Sequence, residues 1–165
     1  MENHELILKT IQDSPGIYTR EIIRKTKLSN GVVQYHLRKL EKESRIKGDK
    51  RPRYKRYYSV SVDESEFPII ANLRKKTKQD LLFAVLGSDD PSFDEVLKKI
   101  HKSPSTVSWN ISGLVKDGIL ERKSRNGKTV YRVKNKALLR KTIEKEFSKL
   151  FKKSFEHDED VFLAL

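Results

Sequence analysis

Cysteine is absent from the sequence of 165 residues, and methionine and tryptophan each occur once. Without thiols the chain has no disulfide, no thiol-based catalysis or redox switch, and no cysteine-ligated zinc or iron–sulfur centre. The sequence also has no run of 18 apolar residues, and its first residues lack a basic, apolar signal region. These absences predict a soluble, cytoplasmic protein that makes no contact with a membrane.

Residue groups that carry enzyme chemistry are missing as well. The four histidines, His4, His36, His101 and His157, are too scattered to form a metal-ligand motif. No Ser/His/Asp set, glycine-rich phosphate loop or pair of carboxylates occurs at a usable spacing. The sequence therefore predicts a protein that is not an enzyme and that needs no metal or cofactor. His36, which lies beside an apolar stripe, is predicted to be a half-buried packing residue.

Positive charge is abundant, since 36 Lys and Arg residues against 23 Asp and Glu residues give a net charge of +13. Hydrophobic and charged residues make up 36% each, which favours small domains with much surface over one large core. Basic residues concentrate in two runs, Arg45–Tyr57 and Arg122–Lys136, where they alternate with Tyr, Val and Gly. Such runs favour a polyanionic partner over a merely solvated surface.

The chain matches itself, without gaps, at an offset of 74 residues. Ser29 falls on Ser103, Val33 on Val107, and Leu40 on Leu114, and the other apolar positions agree almost throughout. An ordered pattern of this kind is typical of an internal repeat. It predicts two copies of one unit, residues 1–62 and 79–134, with a connector helix over 63–78 and a C-terminal helix and tail over 135–165.

Each copy has the pattern of three helices and a β-hairpin. The third helix of the second copy begins at Ser103-Pro104, a helix cap followed by a proline in the first turn. Asn126-Gly127, between two β-prone runs, is a strong hairpin signal. The predicted fold class is mostly α with small β-hairpin wings: two tandem winged helix-turn-helix domains plus a C-terminal helix.

Two segments, Gly31–Leu40 and Ser103–Asn110, resemble archaeal transcriptional regulators with two tandem winged helices, and the first also resembles ArsR- and MarR-type regulators. The resemblance covers roughly residues 5–134. It implies DNA binding and transcription regulation in a cytoplasmic, nucleoid-associated archaeal protein, without indicating the target genes. Family members often have histidine after tryptophan in the second recognition helix, where this chain has Asn110.

The predicted recognition helices are residues 29–43 and 103–117, each with one apolar face. In the first, Gln34 can pair with adenine and Arg38 with guanine. The alternative is that both belong to a solvated helix surface that contacts no DNA. Tyr35 either contacts a base or sugar or covers the hairpin. The candidate DNA-binding residues of this helix are Ser29, Asn30, Gly31, Gln34, Tyr35 and Arg38.

The second recognition helix has short hydroxyl side chains, which suit phosphate contacts better than long bidentate base contacts. We therefore expect the first copy to supply specificity and the second to supply anchoring. Trp109 either contacts DNA or seals the helix against the hairpin, and the sequence favours sealing. The candidates are Ser103, Ser105, Thr106, Ser108, Trp109 and Ser112.

The two hairpins supply cations for phosphates or for an adjacent minor groove. The first is the longer and more basic, which agrees with a dominant role for the first copy. The candidates are Lys50, Arg51, Arg53, Lys55 and Arg56 in the first hairpin, and Arg122, Lys123, Arg125 and Lys128 in the second.

The segment from Asn135 to Phe155 is predicted to be a helix with a broad apolar face, which must be buried against something. It either folds back on the second copy or forms a homodimer with the same helix of a second chain, and the dimer is favoured. The last residues, Val161–Leu165, would dock in that interface or bind a partner.

The predicted function is sequence-specific binding of double-stranded DNA by a transcriptional regulator. Contact with the basal transcription machinery is a further expectation. One alternative is an architectural DNA binder, which needs the charge without a base-reading face. Another is a protein-interaction module of the transcription or replication machinery. The lysine and arginine at both hairpin tips speak against the last, because protein interfaces are depleted in lysine.

Overall fold

The computed structural model describes residues 1–150, except for the side chains of residues 147 and 150. It is mostly helical with small antiparallel hairpins, as the sequence predicts. The described chain divides into two compact units, Met1–Phe67 with Ser148–Leu150, and Pro68–Phe147. Within residues 1–150, no helix has the length and apolar character needed to cross a membrane.

The first unit has three helices, a small sheet and a short 3-10 turn. Its strands are antiparallel in the order β1-β3-β2, with Ile17 and Gly48 on either side of Tyr57. The elements are α1 (Asn3–Asp13), β1 (Ile17–Tyr18), α2 (Thr19–Thr26), α3 (Asn30–Lys42), β2 (Ile46–Asp49), β3 (Arg56–Ser59) and the 3-10 turn (Glu64–Glu66).

The apolar stripe of α3 faces the core of the first unit. Val33, Leu37 and Leu40 are buried together with apolar residues of α1, α2 and the sheet. The turn between α2 and α3 begins at Lys27, which adopts the left-handed conformation and donates its N–H to Ile23 O. A left-handed residue at its C-terminal cap ends α2 abruptly, and α3 starts three residues later.

The second unit repeats this order of helices and hairpin. Asn126 and Gly127 form its two-residue hairpin loop, both with positive φ, as this turn requires. The elements are α5 (Lys76–Leu86), α6 (Phe93–Lys99), α7 (Pro104–Lys116), β4 (Leu120–Arg125), β5 (Lys128–Val133) and α8 (Lys136–Leu150). The apolar side chains Val107, Ile111 and Leu114 of α7 are buried.

Both α3 and α7 begin at a serine cap, and the cap predicted at Ser103 is confirmed. Ser29 Oγ accepts a hydrogen bond from Val32 N, and Ser103 Oγ accepts one from Thr106 N. Pro104 occupies the first turn of α7, where a missing N–H costs nothing. Both caps fix the start of a helix whose first turns carry candidate site residues.

The connector differs from the prediction of one helix over 63–78. A 3-10 turn is followed by α4 (Phe67–Leu73), and the chain leaves the helical path at Arg74-Lys75 before α5 begins at Lys76. The side chain of Gln79 donates to Leu73 O, a carbonyl at the end of α4. This bond satisfies a helix-end carbonyl and stabilises the break.

Two further features concern the edges of the prediction. The two-residue strand β1 was not predicted, because so short a strand has no alternating pattern. The C-terminal helix is described as α8 up to Leu150, with Leu139 and Ile143 buried. Its predicted continuation to Phe155 and the segment Val161–Leu165 lie outside the described residues.

Candidate nucleic-acid interface

The face of α3 opposite its buried stripe is exposed and polar. Asn30 and Gly31 are exposed in its first turn, and Arg38 is exposed two turns further on. Tyr35 has 56% of its surface exposed, so it does not cover the hairpin. Gln34 is half-buried beside this face, and His36 is half-buried as predicted. A helix with this division can bury one side and offer the other to a major groove.

Arg56 does not belong to the exposed surface, although the sequence predicts it as a DNA contact. Its side chain is only 4% exposed. Nη1 donates to Gly16 O at 2.6 Å, Nη2 donates to Tyr18 Oη, and the guanidinium lies 3.9 Å from the centre of the Tyr18 ring. Arg56 therefore fastens β1 to β3, and its charge is turned inward.

Two further cations of the first hairpin are engaged in ion pairs. Arg51 donates from Nε to Asp49 Oδ1 at 2.8 Å and from Nη2 to Asp49 Oδ2 at 3.1 Å. These bonds raise the pKa of Arg51 above its ordinary value. Lys55 Nζ lies 2.7 Å from Glu41 Oε2 on α3, and both side chains are half-buried. The first hairpin therefore offers less positive charge to solvent than its sequence indicates.

Lys50 and Arg53 are exposed on this hairpin, and Arg51, in its pair with Asp49, keeps 63% of its side chain exposed. Arg53 lies over the ring of Tyr54, with its Cζ 5.3 Å from the ring centre. Tyr54 is 57% exposed and was not predicted as a site residue. Its position within a run of arginine and lysine is the signal that points to it, since an exposed aromatic ring beside cations suits sugar or base contact.

On α7 the structure overturns the predicted sealing role of Trp109. The indole is 80% exposed, so it does not close the helix against the hairpin. Ser105, Ser108 and Ser112 are exposed on the same helix, and Thr106 is half-buried. At the start of the helix Ser103 Oγ lies 3.2 Å from Ser105 Oγ and donates to Thr106 Oγ1 at 2.8 Å. Three hydroxyl groups therefore gather at its first turn.

The second hairpin presents its cations to solvent. One of them contacts α7, because Arg122 Nη2 donates to Ser112 Oγ at 3.2 Å. Arg125 Nη1 lies 3.5 Å from Asp89 O, and Lys123 Nζ lies 3.9 Å from a carboxylate oxygen of Glu121. All four predicted residues are exposed: Arg122, Lys123, Arg125 and Lys128.

Asp90 holds β5 to the loop before α6 through a bidentate pair with Arg132. The hydrogen bonds from Arg132 lower the pKa of the Asp90 carboxyl and raise that of the guanidinium.

Among residues 1–150 no group of three or more His, Cys, Asp or Glu side chains is arranged to hold a metal ion. The chemistry on both exposed helix faces is therefore that of hydroxyl, amide, aromatic and cationic groups.

A short helix, a turn, an exposed second helix and an antiparallel hairpin are consistent with a winged helix-turn-helix. Residues 1–68 match a protein family described as an N-terminal HTH (helix-turn-helix) domain. Over 134 residues the chain is 27% identical to a protein of Methanocaldococcus jannaschii named as an uncharacterized HTH-type transcriptional regulator. The match covers 81% of this chain and 34% of the relative, so the chain spans about a third of that relative's length. At the level of the family, both similarities support a DNA-binding regulator.

Proposed function

We propose that this protein is a sequence-specific transcriptional regulator that binds double-stranded DNA through α3 and α7. The observation that carries the proposal is the exposed face of α3, where Gly31, Tyr35 and Arg38 lie opposite the buried stripe. In the proposed complex α3 and α7 lie in major grooves, and the two hairpins contact phosphates or an adjacent minor groove. The similarity to an HTH-type regulator supports this at the level of the family.

The proposed architecture is two tandem winged helix-turn-helix domains, of which the first has an ArsR- and MarR-like recognition helix. The starts of corresponding elements support a repeat of 74 residues. In the first unit α2, α3 and β2 begin at residues 19, 30 and 46, and in the second α6, α7 and β4 begin at residues 93, 104 and 120. Homodimerisation through the C-terminal helix, contact with the basal transcription machinery and association with the nucleoid remain predictions.

Within this function we propose different tasks for the two units. Arg38 and Gln34 on α3 are long enough for bidentate contact with guanine or adenine. The internal ion pairs of the first hairpin and the exposed cations of the second support an anchoring role for the second unit. The residues proposed to contact DNA exclude Arg56, whose guanidinium is buried, and Arg51, whose guanidinium is paired with Asp49.

The deciding experiment measures affinity for the protein's own upstream region and for a scrambled duplex across a salt series. A preference of about 10³-fold or more near physiological salt establishes a specific regulator. Equal and steeply salt-dependent affinities would contradict specificity and indicate an architectural binder. Absence of binding to either duplex would contradict DNA binding and favour a protein-interaction module.

A further inference from the structure

Trp109 is the most exposed large hydrophobic side chain on the described residues of the two predicted recognition helices. It is 80% exposed, whereas Tyr35 on α3 is 56% exposed. Its neighbours on the helix surface, three and four residues away, are all small: Ser105, Thr106, Ser112 and Gly113. No neighbour within α7 is therefore large enough to cover the indole, which projects from the helix on the side opposite its buried stripe.

The surroundings of the indole are cationic and hydroxylic. Arg122 on β4 reaches Ser112 Oγ at 3.2 Å, which places a guanidinium one helical turn from Trp109. Lys123, Arg125 and Lys128 extend this positive charge along the exposed hairpin. An anionic surface is the partner that this charge favours. The short serine side chains allow the helix backbone to approach such a surface closely.

The chemistry of the α7 face limits what it can read on DNA. Serine hydroxyls bond phosphates or single acceptors, and none of them forms the bidentate base contacts of Arg, Gln or Asn. Trp109 is the one large apolar group on this face, and its N–H is a single donor. The apolar group that the major groove displays is the 5-methyl group of thymine. Packing an exposed indole on an exposed methyl group removes apolar surface of both from water, which stabilises the contact.

We infer that Trp109 packs on the 5-methyl group of a thymine in the major groove and makes the second unit selective for thymine at that position. This inference rests on the proposed function and names the base feature that the second unit recognises. The second unit then contributes both anchoring and one element of specificity. The same contact is available to 5-methylcytosine, which carries its methyl group at the corresponding place in the groove, and not to unmodified cytosine.

The test uses the full-length protein and a short duplex selected by it from a random-sequence library. Each thymine is replaced in turn by deoxyuridine, which removes the methyl group and leaves the base pairing unchanged. We expect replacement at one position to weaken binding about fourfold, the effect of exposing one apolar carbon group. For Trp109→Ala we expect the same affinity for thymine and deoxyuridine at that position.

The matched control is Tyr35→Ala, which removes the exposed aromatic side chain of the other recognition helix. This variant should retain the methyl effect assigned to Trp109. Trp109→Phe should retain part of it. Because the indole is exposed, neither Trp109→Phe nor Trp109→Ala should lower the melting temperature measured by circular dichroism. The inference is overturned if no thymine is sensitive to loss of its methyl group, or if the sensitive position remains sensitive in Trp109→Ala. Failure of the wild-type protein to select any duplex would instead contradict the proposed function itself.

Fluorescence gives an independent readout, because Trp109 is the sole tryptophan of the chain. On binding the selected duplex its emission should move to shorter wavelength as water is excluded, and the shift should be smaller on the deoxyuridine duplex. Stacking on an unpaired base is the competing contact, and it would require a base to leave the duplex at a cost of a few kcal/mol. Tighter binding and stronger quenching on a duplex mismatched at the sensitive position than on the matched duplex would overturn the inference in favour of stacking.

Discussion

Lys55 Nζ lies 2.7 Å from Glu41 Oε2, and this half-buried ion pair joins the first hairpin to α3. The pair crosses directly over Gly48 on β2. A Cβ atom at Gly48 would lie 2.2 Å from Lys55 Cε and 2.5 Å from Glu41 Oε1. The close approach explains the glycine in a strand, a position where glycine is otherwise unfavourable.

Gly48→Ala should therefore displace the Lys55 ammonium from Glu41 without disrupting the strand. We expect the free energy of unfolding to fall by about 1 kcal/mol, the upper range for a partly exposed ion pair. Lys55→Ala removes one of the two side chains that the new methyl group would meet and releases the other, Glu41, from its ion pair. Gly48→Ala should therefore cost little in that background. Urea unfolding of the wild type, both single variants and the double variant measures this coupling. Equal cost in both backgrounds would show that the ion pair is not the reason for the glycine.

Arg56→Met should be the most destabilising substitution among the candidate hairpin cations. It removes a charged hydrogen bond to Gly16 O and the contact with the Tyr18 ring, and leaves a buried carbonyl without its donor. The expected loss in the free energy of unfolding is about 2–4 kcal/mol. Arg53→Met is the matched control and should change stability by less than about 0.5 kcal/mol because Arg53 is exposed. Similar stability of the two variants by urea unfolding would contradict the inward role of Arg56.

The burial of Arg56 could have been anticipated from the internal match. The offset of 74 residues aligns Arg56 with Val130, an apolar residue that is buried on β5 of the second unit. Composition masked this signal, because Arg56 lies in a run of outward-facing cations. Its partner Gly16 is 40 residues away in sequence, and no local pattern indicates a contact over that distance.

Local signals predicted other features correctly. Ser103-Pro104 and Asn126-Gly127 determine a helix start and a hairpin loop through backbone preferences that act within a few residues. The exposure of Trp109 depends instead on how far the hairpin lies from the helix. Helical periodicity places the residue opposite the buried stripe without deciding whether another element covers it.

The salt dependence of DNA binding should distinguish the two arginines of the first hairpin tip. Arg53→Gln should reduce the slope of log K against log salt by about 0.9, the contribution of one neutralised phosphate. The double variant Asp49→Asn with Arg51→Gln removes an ion pair and leaves the net charge unchanged, so its slope should equal that of the wild type. Fluorescence anisotropy with a labelled duplex measures the slopes. A wild-type slope in Arg53→Gln would show that this arginine does not contact DNA.

Acid should weaken the link between Asp90 and Arg132. The pKa of Asp90 is lowered by its hydrogen bonds to Arg132, so the folded state retains the carboxylate more strongly than the unfolded chain. Its stabilisation is complete above the ordinary aspartate pKa of about 3.9 and is lost as the pH falls through the lowered value. Asp90→Asn should therefore be less stable than the wild type at about pH 6, and the difference should shrink below about pH 4.

Asp89→Asn is the control for this measurement, since it removes a neighbouring carboxylate and keeps the bidentate pair. At position 90 asparagine tolerates the positive φ of 44°, so Asp90→Asn adds no backbone strain of its own. Thermal unfolding across the pH range compares the three proteins. A stability difference between wild type and Asp90→Asn that stays constant down to about pH 2 would contradict the assignment to this carboxylate.

Arg38 is the residue on α3 for which base contact and phosphate contact have the most clearly separated consequences. It is exposed in the middle of the helix, and a bidentate pair with guanine would contribute about 1–3 kcal/mol of discrimination. Arg38→Ala should therefore weaken binding to the preferred duplex by about 5- to 150-fold and binding to scrambled duplex far less. Lys39→Ala, which removes the same charge from the adjacent exposed position, should weaken both by a similar small factor. Equal losses on the two duplexes in Arg38→Ala would assign Arg38 to a phosphate, and base reading by α3 would then depend on Gln34 and its neighbours.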